Sequence, residues 1–226
     1  MSQQFSHSIE DLPDLYSMDQ MFSYWRIWEH AELFQGLRAP WQALDRLADY
    51  LKQWADLNRD GKFHPPKDAP YHISGDVWIG PGTSIEPGAM IRGPVIIGAN
   101  CQIRHGSYIR DQVIVGAESV IGHNAEVKGS VLMPQCEIAH LNYVGDSVLG
   151  RRVHLGAGAI LSNVRQDRQN IQIKLRQEDG SALAWDTGRW KVGSMLGDGV
   201  EIGCNAVLNP GRIGPAGWMV RPGKSV

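Results

Sequence analysis

The sequence predicts an all-β fold: a parallel β-helix of hexapeptide repeats with a short helical N-terminal region and a protruding β-hairpin. The first observation is a register. From Ile73 to Val127 every sixth residue is aliphatic, through Ile79, Ile85, Ile91, Ile97, Ile103, Ile109, Val115 and Ile121. The second is its companion, a compact residue four positions after each, in the order Val77, Thr83, Ala89, Val95, Cys101, Ser107, Val113, Ser119, Ala125 and Val131. A period of six fits neither the helical 3.6 nor a single alternating strand, so the repeat itself is the structural unit. Three six-residue sides close one triangular coil, and eighteen residues return the chain to the same edge, roughly 4.8 Å further along the axis. The third observation is the glycines Gly80, Gly88, Gly98, Gly116 and Gly122, which permit the turns between sides.

Composition narrows the function. The chain has 226 residues, with 22 basic against 24 acidic side chains, a balance that argues against a nucleic-acid partner. Three cysteines without framework spacing fit a reducing compartment, with Cys101 at an inward repeat position as a small hydrophobe. The N-terminus lacks a basic start followed by an apolar run, and no stretch is long and apolar enough to span a bilayer, so a cytoplasmic protein with no membrane contact is expected.

Taken in order, residues 1–58 show helical spacing. Ser17 with Gln20 reads as a capping box ahead of Met18, Met21, Phe22, Trp25 and Trp28 on one face. A second helix is expected from Pro40, with Trp41, Leu44, Leu47, Ala48, Leu51 and Trp54 along one side. Both stripes read as core faces rather than cofactor surfaces. Residues 58–70, with Gly61, Pro65, Pro66 and Pro70, read as a linker. Residues 1–70 are thus a helical N-terminal region and linker, and residues 71–226 the β-helix domain.

After Val127 the register breaks and resumes in a new phase at Leu149, Leu155 and Leu161, with Val153 and Ala159 at compact positions. An irregular segment inside a strict repeat marks a candidate site. A second interruption follows Asn163, where apolar and polar residues alternate about Asp179-Gly180, a two-residue hairpin signal, giving an insertion at about residues 165–190. The repeat returns at Leu196, Ile202 and Leu208, shortens by one residue, and ends with Ile213 and Met219.

The register also places outward residues. Arg92, Arg110 and Lys128 are eighteen apart, each just after an inward aliphatic residue, and stack on one side as either a phosphate-binding ladder or a surface row neutralised by a neighbouring subunit's carboxylates. His105 and His123 are likewise eighteen apart, a spacing open to a shared metal or to a structural or interface role. His140 stands in the irregular segment, near the end of the basic row.

The run His140 to Asp146 (HLNYVGD), followed by Leu155 to Asn163 (LGAGAILSN), resembles the C-terminal acetyltransferase domain of the bifunctional enzymes that acetylate glucosamine 1-phosphate and then uridylylate it. The resemblance covers residues 71–226, and the stretch from Asp186 to Pro215 is similar to the archaeal-type sugar-1-phosphate members. It implies a left-handed β-helix, acetyl-CoA as cosubstrate, a CoA groove between subunits and a homotrimer. It also implies His140 as catalytic base, Arg110, Lys128 and Tyr143 as sugar-phosphate contacts with Arg92 beside them, Asn163 near the reacting amine and the Ala157 backbone as oxyanion donor. Lys191 is the nearest counterpart of the family's lysine, though the hairpin separates it from Asn163. Two positions depart: His154 stands where the bacterial enzymes hold the sugar with asparagine, and Cys204 where they have a serine near the acetyl group. The close histidine pair of the metal-binding β-helix family that resembles carbonic anhydrases is absent, so no metal is expected.

The reading is an acetyl-CoA-dependent N-acetyltransferase acting on a hexosamine 1-phosphate. Residues 1–70 hold no glycine-rich nucleotidyltransferase signature, so no uridylyl transfer is expected. The alternatives are an N-acyltransferase on a nucleotide-linked amino sugar, for which His154 speaks, and a non-catalytic sugar-nucleotide-binding or assembly β-helix.

Overall fold

The computed structural model describes residues 7–176 and 181–226. Three seven-stranded parallel sheets form the faces of a prism. The first face opens with His72–Ser74 and ends with Val207–Leu208, the second runs from Val77–Ile79 to Arg212–Gly214, and the third from Ser84–Ile85 to Met219–Val220. In-register pairs carry the hexad positions from coil to coil: Ile91 opposite Ile109, Ile109 opposite Val127, Ile97 opposite Val115 and Ile103 opposite Ile121. These residues, with Val144, Leu149, Leu155, Leu161, Leu196, Ile202 and Leu208, fill the interior. Full burial of each such side chain is worth roughly 1.5–3 kcal/mol.

The break after Val127 is a change of coil length. Val115 pairs with Leu132 and Leu132 with Leu149, seventeen residues apart instead of eighteen. One corner has lost a residue. Earlier it turns through two left-handed residues, Asp111 (φ 57°) and Gln112 (φ 67°); afterwards Gly129 (φ 55°) and then Asp146 (φ 47°) turn it alone. Serine hydroxyls bridge the shortened corner. Ser130 Oγ donates to Lys128 O (2.7 Å) and accepts from Ser147 N (3.0 Å), and Ser147 Oγ repeats the pattern with Gly145 O (2.8 Å) and Ser194 N (2.9 Å). Ser130 therefore takes the compact inner position. Val131, expected there, pairs with Ile114 and faces outward.

The last coil also departs from expectation. It keeps eighteen residues, with Gly214 opposite Leu196 and Val220 opposite Ile202, so Ile213 faces outward and Met219 is exposed. The Trp218 ring covers Gly214, where a Cβ would meet it at 2.2 Å. An indole replaces the missing inward side chain.

A second core lies outside the prism. The outward residues of the second face, Trp78, Ile96, Ile114, Val131, Val148, Met195 and Ile213, are apolar and buried under the N-terminal region. Pro40–Gln42 leads into the helix Ala43–Leu57, whose Leu44, Leu47, Tyr50 and Leu51 are buried. Ala48, expected on that face, is exposed, and Tyr50 fills its place. The expected first helix is one turn, Met18–Met21, and Ser17 makes no side-chain cap, yet Met18, Met21, Phe22, Trp25 and Trp28 are all buried. The single helical turn carries Met18 and Met21, and the 3-10 turn Trp25–Ile27 follows it, with Trp25 and Trp28 packed against Phe34. The segment after the long helix is docked on the prism through Phe63 N to Val77 O (2.7 Å) and Trp78 Nε1 to Asn58 O (2.8 Å).

The insertion forms an antiparallel hairpin, Gln172–Arg176 with Ala182–Asp186, closed at its base by a bridge between Val164 and Lys191. Its expected turn at Asp179-Gly180 lies outside the described residues. Ile171, Ile173 and Trp185 are buried in the second core, so the base of the hairpin lies against the second face instead of standing free. Among the described residues no helix is long and apolar enough to cross a membrane.

Inside the second core His30 is buried between Trp28 and Trp54, with Nδ1 2.7 Å from the Tyr50 hydroxyl. Burial lowers its pKa to about 4. The folded chain therefore binds this proton less readily than the unfolded chain does. The resulting stability is full above the unfolded pKa near 6.5 and is lost as pH falls through that value toward 4. Unfolding free energy should drop by about 3 kcal/mol over that window from this group alone. Urea titrations of wild type and His30→Asn across pH 4–7 should show a shallower loss in the variant.

Candidate active site

The corner between the third and first faces stacks one residue per coil. His140 pairs in register with His123, and carbonyl-to-N–H bonds tie the corner across coils: Asn124 N to His105 O (3.2 Å), Leu141 N to His123 O (2.9 Å), Gly158 N to His140 O (2.8 Å) and Asn205 N to Ala157 O (2.9 Å). The column therefore reads His105, His123, His140, Ala157, Cys204. His105 and His123 stack with ring centroids 5.5 Å apart, and their Nδ1 atoms face the carbonyls of Pro87 (2.6 Å) and His105 (3.0 Å). Among the described residues no group of three or more His, Cys, Asp or Glu side chains gathers around a metal-sized space.

His140 is exposed at the end of the strand Glu137–His140, and a buried amide fixes its backbone. Asn142 Oδ1 accepts from His140 N (2.8 Å), while its Nδ2 donates to Gly156 O (2.7 Å) and Ala159 O (3.3 Å). Leu141 between them has φ 55° and is 58% exposed. Other coils put Gly106, Asn124, Gly158 or Asn205 at this left-handed corner. A leucine there costs roughly 1–2 kcal/mol, a strain localised next to the histidine. One coil on, the Ala157 N–H has no hydrogen-bond partner among the described residues, and neighbouring Gly156 presents no side chain over it.

The basic row lies on the first face. Arg92, Arg110 and Lys128 are in register as expected, and their carboxylate partners come from the same chain. Asp111 takes Arg92 (2.7 Å) and Arg110 (2.5 Å), Glu126 takes Arg110 (2.6 Å), and Asp146 takes Lys128 (2.8 Å). Burial pushes the Asp111 carboxyl upward, but hydrogen bonds and charge from Arg92 and Arg110 prevail and hold it below the usual range. Exposure falls along the row, with Arg92 at 49%, Arg110 at 23% and Lys128 at 12%. Beyond Lys128, Asp146 also accepts from Asn163 Nδ2, and Tyr143 stands on the same face. Burial, then the negative charges of Asp146 and Glu126, raise the Tyr143 phenol. Gly145 leaves the space open, since a Cβ there would lie 2.6 Å from Tyr143 Oη and 2.7 Å from Asn163 Nδ2.

The structure thus brings Lys128, Tyr143 and Asn163 together with Arg110 beside them, and puts His140 and Ala157 on the adjoining corner. Lys191, distant in sequence, is returned beside Val164 by the hairpin, with Nζ 4.1 Å from the Trp190 ring centroid. His154 is separate from this group. It lies on the third face between Glu137 and Glu201, with Nδ1 3.9 Å from Glu201 Oε2, where two open grooves of 700 and 470 Å³ meet; Cys204 lines the second. Sequence reasoning missed Asn142, Asp146, Asp111 and Glu126. The signal for two of them was present, since Asp111 and Glu126 flank the basic positions.

A family model described as the GMPPB C-terminal domain matches residues 91–218, more than half of the chain. The bifunctional sugar-1-phosphate nucleotidylyltransferase/acetyltransferase of Sulfurisphaera tokodaii is 38% identical over 88 residues, 38% of this chain and 21% of that protein. The bifunctional protein GlmU of Methanococcus aeolicus is 32% identical over 181 residues, 80% of this chain and 41% of the relative. The chain thus spans less than half the length of these two relatives. Among solved structures, a hexapeptide transferase family protein from Anaplasma phagocytophilum overlays with a TM-score of 0.35 at 17% identity, covering 68% of this chain and 76% of that one.

Replacing Asn142 with alanine leaves the buried corner's His140 N–H without its partner and the Gly156 carbonyl with only the Ala159 N–H. Loss of about 2–3 kcal/mol is expected; chemical denaturation of Asn142→Ala measures it.

Proposed function

This chain belongs to the GMPPB C-terminal domain family, and from that premise we propose that it is an acyltransferase moving an acetyl group from acetyl-CoA to the amine of a hexosamine 1-phosphate. The observation that carries this reading is the adjacency of two sets of groups. An exposed imidazole and an unengaged backbone N–H occupy successive coils of one corner, and a network of Lys128, Tyr143, Asp146 and Asn163 occupies the face that begins there.

Acetyl transfer needs those parts. The sugar nitrogen attacks the thioester carbonyl, and its proton must leave as the C–N bond forms. His140 takes that proton and returns it to the departing CoA thiolate, assistance worth about 10² to 10⁴ in rate. The Ala157 N–H donates to the oxyanion of the tetrahedral intermediate. Arg92 and Arg110 attract the acceptor phosphate, Lys128 and Tyr143 contact it, and Asn163 stands near the reacting amine. The groove of His154, Gly156, Gly203 and Cys204 receives CoA between subunits of a homotrimer, and Lys191, at the base of the hairpin beside Val164, is the counterpart of the family's CoA-contacting lysine. In this reading residues 1–70 and 71–226 are an accessory region and an acyltransferase-like domain, the protein is cytoplasmic, and no uridylyl transfer accompanies acetylation.

Two observations favour other readings. His154 between Glu137 and Glu201 suits a base or sugar hydroxyl of a nucleotide-linked amino sugar as acceptor. The basic row, already paired with carboxylates, suits a non-catalytic β-helix that binds sugar nucleotides.

Thiol release from acetyl-CoA across a panel of amino sugars, led by glucosamine 1-phosphate and galactosamine 1-phosphate, tests the proposal. Turnover on at least one is expected, falling 10²- to 10⁴-fold in His140→Ala while thermal unfolding stays unchanged. Undiminished turnover in that variant removes the mechanism. Thermal stabilisation by sugar nucleotides but not by CoA favours the binding protein.

A further inference from the structure

Asp146 is the one carboxylate of the first-face row whose side chain is nine-tenths buried, at 9% exposure. A charge so placed requires partners, and it has two, from the coils on either side. Lys128 Nζ donates at 2.8 Å, and Asn163 Nδ2 donates to the same Oδ2. The backbone holds the carboxylate still. Asp146 turns the shortened corner at φ 47°, donates its N–H to Lys128 O (2.9 Å) and accepts at its carbonyl from Gly193 N (2.8 Å). Gly129 makes room, since a Cβ there would lie 2.8 Å from Asp146 Oδ1.

An amide facing a carboxylate has one acceptable orientation. Its NH₂ must point at the oxygens, so its carbonyl oxygen is directed elsewhere. With one Nδ2–H on Asp146 and the Nδ2 side of the amide also turned toward the Tyr143 hydroxyl, Asn163 keeps Oδ1 as its free acceptor for a molecule arriving on the first face. A sugar amine ready to attack is a hydrogen-bond donor and matches that oxygen. The same carboxylate holds Lys128, which would otherwise be a largely buried ammonium without a counter-charge.

We propose that Asp146 is a positioning residue of the acceptor site: it orients the Asn163 amide so that Oδ1 receives the acceptor amine, and it fixes Lys128 beside it. This inference rests on the acetyltransferase reading for its substrate, while the arrangement it describes exists without ligand.

Asp146→Asn is the test, because it keeps the shape, removes the charge and lets the Asn163 amide turn either way. KM for the acceptor should rise at least tenfold and KM for acetyl-CoA should stay within twofold, a split that a general loss of folding would not produce. A double variant, Asp146→Asn with Asn163→Asp, returns a carboxylate to Lys128 and should regain stability without regaining acceptor affinity. Equal acceptor KM in wild type and Asp146→Asn, or full recovery in the double variant, overturns the proposal. If wild type acetylates no amino sugar, the acetyltransferase reading falls on its own. Ultraviolet titration of the Tyr143 phenol, identified by its loss in Tyr143→Phe, then decides on Asp146. Removal of the neighbouring charge should bring that titration to lower pH, and an unchanged curve overturns the inference.

Discussion

Everything outward on this molecule is set by the hydrogen bonds between successive coils. Because the strands are parallel and in register, a side chain at one position recurs one strand spacing along the axis. Three coils with arginine or lysine after the inward residue yield a row of three cations. Three coils with histidine at a corner yield a column of imidazoles. Like charges stacked so closely repel, so the row persists only with carboxylates between its members. Asp111, Glu126 and Asp146 meet that requirement from within the chain.

The repeat made the prism legible because its period belongs to the interior. An inward position admits little besides an aliphatic side chain, so the hexad survives where turns and outward residues vary. Its two apparent failures have small causes. A corner that turns through one left-handed residue instead of two shifts the phase without breaking a coil, and Ser130 and Ser147 replace backbone bonds with hydroxyl bonds there. Gly214 removes an inward side chain, and Trp218 refills the space from four residues further on, hiding the true register of the last coil. The second core was written in the sequence in another form. Strands such as Val95-Ile96-Ile97 and Val113-Ile114-Val115 are apolar on both sides, which means both sides are covered. The six-residue period carries no information on the residues between.

The site was partly legible for the same reason. Arg92, Arg110 and Lys128 follow from register alone, and His140 drew notice because the phase shifts beside it. Asn142 and Asp146 did not, since their roles depend on neighbours from other coils: Gly156 and Ala159 for the amide, Lys128 and Asn163 for the carboxylate. Lys191 depended on the hairpin, whose closure at Val164 cannot be read from the distance along the chain. The polar pairs that complete a site are long-range, and a one-dimensional period encodes only the coil that follows.

Pairing also grades the basic row. An anion arriving on the first face gains only what it can draw from cations already matched, and the cost of loosening a pair rises with burial. Arg92, about half exposed, gives up part of its contact with Asp111 most cheaply. Lys128, enclosed with Asp146, does so least readily. A phosphate is therefore drawn chiefly by the Arg92 and Arg110 end, with Lys128 at the limit of its reach, and the Asp146 and Asn163 end is left to groups that donate or accept single hydrogen bonds. That polarity runs along the prism axis toward the level of His140, so a molecule with a phosphate at one end and an amine at the other has one favourable orientation on this face.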